Sequence, residues 1–104
     1  MEEFTFKWPG AGLAIGDLQI PVPIIQGGMG IGVSGRRLAT AVANQGGVGV
    51  LSAVGLGYLG LPCEIQAQEG DSHNITMLRQ ELRKARQQTK GVLGVNIMVA
   101  IREF

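Results

Sequence analysis

The sequence predicts an α/β fold with parallel strands, preceded by a short β-hairpin. Three observations predict it. Between Ile20 and Ser52 a Pro-bounded apolar run, a glycine-rich loop, an amphipathic stretch and a second apolar run follow in order, making one strand–loop–helix–strand unit. A second amphipathic stretch and a third apolar run then follow, and such alternation means parallel strands joined by right-handed crossovers. Finally, the 17 glycines cluster at the ends of the apolar runs, where tight turns and close backbone approach to a ligand need them.

Leu13-Ala14-Ile15 and Leu18-Gln19-Ile20 flank Gly16-Asp17, which reads as a hairpin over about residues 13–20 with a tight Gly-X turn. Pro21 and Pro23 end that ladder, since neither donates a backbone hydrogen bond. Val22 to Gln26 reads as a strand buried on both faces. Ser34 is the expected N-cap of the first helix, with Leu38, Ala41 and Val42 on its apolar face and Gly46 as a left-handed C-cap. Gly47 to Ser52 reads as the second strand.

Ala53 to Ser72 is glycine-rich, contains Pro62 and has no clean period. It reads as a loop of roughly 20 residues, a length that is usually functional or mobile. Two readings stand for it, a lid over a site and a plain insertion. Ser72 or Asn74 caps the second helix, whose apolar stripe is Leu78, Leu82 and Ala85 with Ile75 in support. Gly91 ends that helix, with Lys90 near its negative end. Gly94 to Ile101 reads as a third buried strand.

Composition narrows the function. Net charge is +1, so no global field favours nucleic acid or an anionic membrane. Positive charge gathers on the second helix, at Arg79, Arg83, Lys84, Arg86 and Lys90, as a solvated face or an anion site. The single cysteine, Cys63, has no intramolecular disulfide partner and no metal-ligand cluster around it. Glu2 and Glu3 after Met1 do not open a secretory signal, and no apolar run reaches the ~18 residues of a membrane span. The expected compartment is the cytoplasm.

Gly30-Ile31-Gly32-Val33-Ser34-Gly35 has the form G-x-G-x-x-G between a strand and a helix, the context of a dinucleotide site. Such a site wants an acidic residue about 20 positions further on to hold the ribose. No Asp or Glu lies between Asp17 and Glu64, and no Arg between Arg37 and Arg79. The favoured reading is the start of a (β/α)8 barrel, in which loops at the carboxyl ends of the strands build the site. Gly27, Gly28 and Gly30 suit close approach of a flat ring to the backbone. Met29 is either a polarizable cover for that ring or a core residue. Asn96 is a polar amide in an apolar strand, so if buried it needs a partner. A cofactor or a neighbouring loop would serve equally.

Three motifs in order resemble a known family. They are Pro23-Ile24-Ile25-Gln26-Gly27-Gly28-Met29-Gly30, then Leu38 to Val50, then Gly94-Val95-Asn96-Ile97-Met98. Together they resemble the nitronate monooxygenase (2-nitropropane dioxygenase) family and the related flavin-dependent enoyl-ACP reductases. The resemblance implies an FMN-binding (β/α)8 TIM barrel, with Gly27, Gly28, Met29 and Gly30 beside the isoalloxazine ring and Asn96 hydrogen-bonded to the flavin. Ser52 is expected to line the same pocket. It implies a small-molecule substrate, an alkyl nitronate with O2 or an enoyl thioester with NAD(P)H. The family's catalytic histidine and phosphate-binding loops belong to later strands, so no catalytic residue and no metal ligand is expected here. His73 is expected at the surface or as a cap. Residues 1–104 are expected to be the amino-terminal piece of one barrel domain in a protein of about 300 residues or more, inactive alone. The alternative outside enzymology is a half-barrel that pairs with itself or a partner, and a homo-oligomer is consistent with either.

Overall fold

The computed structural model describes residues 8–30 and 34–99. The opening Met1-Glu2-Glu3, the Ile31-Gly32-Val33 interior of the glycine motif, and the expected strand end at Ile101 lie outside the described residues. The fold is α/β: β1 (Leu13–Ile15), β2 (Leu18–Ile20), α1 (Arg36–Asn44), β3 (Val48–Ser52), a single 3-10 turn (Leu56–Tyr58), α2 (His73–Gln88) and β4 (Val92–Asn96).

The hairpin forms as expected. β1 and β2 pair antiparallel, Leu13 with Ile20 and Ile15 with Leu18. The turn between them is closed by Gly16 at φ 56°, a left-handed angle that only glycine adopts without strain.

β3 and β4 pair parallel, from Val48 with Val92 to Ser52 with Asn96. Residues 22–26 lie alongside β3 as an extended segment. Val48 N–H donates to Ile24 C=O at 2.9 Å and Gln26 N–H to Val48 C=O at 3.1 Å, around a single parallel bridge of Ile25 with Val48. The expected fully buried strand is therefore corrected to an extended segment with Val22 buried and Ile24 and Ile25 exposed. The ladder is sparse because Ile24 N–H turns back to the Val22 C=O at 2.7 Å, across Pro23, instead of reaching the chain before β3.

The third strand is also corrected. It starts at Val92 and ends at Asn96, and Val95 to Val99 are exposed. Among the described residues β4 has β3 on one side and no strand on the other, so its far residues meet solvent.

Alternation divides the sheet into two faces. Gly49, Leu51 and Leu93 share one face, and both helices cover it. Ala39 of α1, Leu51 and Ala85 of α2 are fully buried together, with Leu82 and Leu93 packed against them. Gly49 permits this closeness: a Cβ there would collide with the Ala39 carbonyl oxygen. Val48, Val50, Ser52, Gly94 and Asn96 share the opposite face.

The helix boundaries carry further corrections. The N-cap of α1 is Gly35, without a side-chain cap bond; Ser34 is engaged elsewhere, as described below. The buried positions of α1 are Ala39, Thr40 and Ala43, whereas of the expected Leu38, Ala41 and Val42 the first and last are half-buried and Ala41 is exposed, because the close contact with Gly49 turns the small Ala39 toward the sheet. Gly46 at φ 97° closes the helix as expected. Gly46 N–H reaches Ala43 C=O and Gly47 N–H reaches Val42 C=O, the paired bonds of a Schellman motif. Ser72 caps α2, its Oγ accepting from Ile75 N–H at 3.2 Å. The buried face of α2 includes Thr76, Met77, Gln80 and Glu81 besides Ala85, while Ile75, Leu78 and Leu82 are half-buried. Its last residue is Gln88 and its C-cap Thr89, so the helix stops before Gly91.

The long segment 53–72 is fastened to α2 by two amides. Asn74 accepts from Gly57 N–H at 2.8 Å and donates to Ala53 C=O at 2.9 Å. Gln80, buried in α2, accepts from Glu64 N–H at 2.5 Å and donates to Pro62 C=O at 2.9 Å. No helix among the described residues is long and apolar enough to cross a membrane.

Candidate ligand site at the carboxyl ends of the strands

The residues singled out in the sequence converge at one end of the sheet. Ser52 and Asn96 are register partners, the last residues of β3 and β4. The glycine loop after residue 26 passes over the end of β3 to reach them. A Cβ on Gly28 would lie 2.5 Å from the Asn96 Cβ, and one on Gly30 would lie 3.1 Å from the Val54 Cβ and 3.8 Å from the Ser52 Oγ. A Cβ on Gly27 would meet nothing within 4 Å, so that glycine borders open space. Met29 is half exposed at 50%, which corrects the core reading of that residue.

The Asn96 side chain is exposed rather than buried, since β4 is the sheet edge among the described residues. Its backbone C=O accepts from Ala53 N–H at 3.0 Å, which carries the parallel ladder one rung past Ser52. Ser52 is buried; its N–H donates to Ser34 C=O at 2.9 Å, and its Oγ accepts weakly from Val54 N–H at 3.4 Å.

Two residues that sequence reasoning missed hold this arrangement. Gln26 Nε2 donates to Val50 C=O at 2.9 Å and also reaches Ser34 Oγ at 3.1 Å and Gly27 C=O at 3.2 Å. Its Oε1 accepts from Val50 N–H at 3.2 Å. Ser34 Oγ accepts from Met29 N–H at 2.7 Å and donates to Gly27 C=O at 3.3 Å, and Ser34 N–H donates to Met29 C=O at 2.9 Å. The hydroxyl's one donor and two acceptor positions are all used. Ser34 is thus the clasp of the glycine loop and not the cap of α1. The signal for Gln26 was present in the sequence: it is a polar amide ending an apolar run, as Asn96 is.

Other candidates lie elsewhere. His73 is the exposed first residue of α2, with its ring beside Gly57. Cys63 is exposed, its thiol against Ile65 C=O at 3.2 Å. The basic residues of α2 are largely engaged. Arg79 pairs with Asp71, Lys84 with Glu64 at 2.7 Å, and Arg86 donates to the Thr89 and Gly91 carbonyls. The anion-site reading of that face therefore loses its free charges at these three positions. Among the described residues no group of His, Cys, Asp and Glu is placed to hold a metal ion. A separate cavity of about 330 Å³ lies between the start of α1 and Leu56, Leu59 and Leu61, beside Glu81, on the opposite side of Ser34 in sequence from the glycine loop.

The family described as nitronate monooxygenase matches residues 13–103 of the chain. No curated protein matches it.

Proposed function

The chain belongs to the nitronate monooxygenase family, an oxidoreductase family, and from that premise we propose that it is part of an FMN-dependent (β/α)8 barrel oxidising alkyl nitronates to carbonyl compounds and nitrite with O2. The observation that carries this reading is the approach of Gly28 to Asn96 and of Gly30 to Ser52, at the carboxyl ends of β4 and β3. In barrels with parallel strands this end is where ligands are held.

The residues present fit a flat aromatic cofactor. Gly27 borders open space, so a ring plane can rest against the backbone without meeting a Cβ. The exposed Asn96 amide both donates and accepts, which suits the carbonyl and ring-nitrogen edge of a flavin. Half-exposed Met29 provides a polarizable cover, and the Ser52 hydroxyl lines the floor. FMN, when bound, supplies the electron-carrying chemistry of the reaction, from nitronate to O2. The residues of this chain bind and orient; the proposal assigns none of them as a proton acceptor, with His73 standing away at the start of α2.

In this reading residues 1–104 form the amino-terminal section of the barrel, in a cytoplasmic protein. The test is an absorption spectrum of the full natural protein purified with added FMN, followed by nitronate-dependent oxygen uptake. Flavin bands near ~450 nm together with nitrite release are expected. Flavin with NAD(P)H-dependent enoyl reduction and no nitrite would move the assignment to the reductase. Absence of flavin would overturn the cofactor reading.

A further inference from the structure

We infer that Ser34 and Gln26 are positioning residues that fix the peptide planes on both sides of Gly28, so that Gly28 offers its own N–H and C=O, side by side, to a ligand. The Gly27 C=O is held by Ser34 Oγ and Gln26 Nε2. Met29 N–H is held by Ser34 Oγ. No described peptide bond is cis, and in a planar trans peptide the C=O and N–H point in opposite directions.

The first peptide therefore turns Gly28 N–H away from Ser34. The second turns Gly28 C=O away from it as well. Both free groups of one residue then face the same way, as they do on a strand residue that exchanges two bonds with a partner. Among the described residues neither group takes a hydrogen bond. A Cβ on Gly28 would meet Asn96, so the position also faces the amide at the end of β4. A backbone donor beside a backbone acceptor matches a ligand edge with an acceptor beside a donor, the pattern of an amide or imide. The inference rests on the flavin reading only for the identity of that ligand.

A merely structural role for Ser34 would act on stability alone, so the test separates loop conformation, ligand affinity and stability. The variants are Ser34→Ala, Ser34→Thr, which keeps the hydroxyl, and Gln80→Ala, which loosens segment 53–72 at Pro62 and Glu64, away from the loop. In the full chain without flavin, amide hydrogen exchange at Met29 is expected to speed up about tenfold in Ser34→Ala and to stay near wild type in Ser34→Thr and Gln80→Ala. Unchanged exchange in Ser34→Ala overturns the inference. In the FMN-loaded protein, Ser34→Ala is expected to raise the FMN dissociation constant about tenfold, with Ser34→Thr restoring it and Gln80→Ala lowering Tm without changing it. An equal loss of affinity in Gln80→Ala reduces Ser34 to a stability role and overturns the inference. Wild-type protein that binds no FMN defeats the cofactor assignment, and the exchange result then decides the loop-setting role by itself.

Discussion

The side-chain amide of Gln26 holds both backbone polar groups of Val50, accepting from its N–H at 3.2 Å and donating to its C=O at 2.9 Å. It continues, with a side chain, the ladder that the backbone of residues 22–26 began. Gln26→Leu leaves both Val50 groups without that partner. Each buried unsatisfied group costs about 1–3 kcal/mol, reduced here because Val50 is only half-buried. A loss of about 2 kcal/mol is expected in urea denaturation, and a loss below about 0.5 kcal/mol would show that water replaces the amide.

Gly27 and Gly28 predict opposite patterns. Gly28→Ala sets a Cβ against the Asn96 Cβ at 2.5 Å, an atom that cannot swing aside without the backbone. A stability loss of about 1–3 kcal/mol is expected, together with weakened flavin binding. Gly27→Ala meets nothing, so Tm should hardly move while FMN affinity falls. Unchanged affinity in a stable Gly27→Ala protein would remove that face from the ligand site.

Gly49→Ala is expected to be the most damaging glycine substitution in the sheet. The new Cβ collides with the Ala39 carbonyl oxygen, a backbone atom inside α1. The helix must lift from β3, opening the cluster of Ala39, Leu51 and Ala85. A cost of about 3 kcal/mol or more is expected by chemical denaturation; a well-folded variant with wild-type Tm would contradict the close packing.

Asn74→Ala frees Ala53 C=O and Gly57 N–H together. About 1–2 kcal/mol of stability is expected to go, and limited proteolysis should cut segment 53–72 faster than in wild type. Equal cleavage rates would mean that Gln80 and the Arg79–Asp71 and Lys84–Glu64 pairs fix the segment without Asn74.

Lys84, through a hydrogen bond and its charge, holds the Glu64 carboxyl below its ordinary value of 4.5. A depressed carboxylate contributes stability above its unfolded pKa and loses it as pH falls through the folded value. The contribution is therefore present at neutral pH and disappears on acidification below about pH 4.5. Glu64 is exposed, so the effect on stability is small. Lys84→Met should let the Glu64 pKa rise, followed by carboxyl NMR titration; a value that stays put would assign the shift to another charge.

Much of this layout was legible because it rests on local chemistry. The hairpin turn needs Gly16, the end of α1 needs Gly46, and Ser72 can accept from a helix N–H. β3 was legible as a run of β-branched and apolar residues. What failed depended on neighbours. Ser34 has the chemistry of a cap, but its hydroxyl finds Met29 and Gly27 before it finds the helix. The phase of α1 is set by the Gly49 contact, which favours Ala39 and Ala43 over larger Leu38. The exposure of Asn96 depends on which strands lie beside β4, a property no residue of β4 carries. In the candidate site the contact glycines and amide were visible as residue types, whereas Gln26 and Ser34 become meaningful only when the loop folds back on them.

The parallel register of β3 and β4 also has a kinetic side. Val48 meets Val92 only after the whole of segment 53–72 and α2 has been brought across, so the chain must surrender its freedom before the first rung forms. Contacts this remote along the chain slow the search. The amides of Asn74 and Gln80 shorten it, because once α2 exists they gather the intervening segment into small closed rings. The order of events should then run from helix to clasped segment to sheet, with the strand pairing as the last and slowest step.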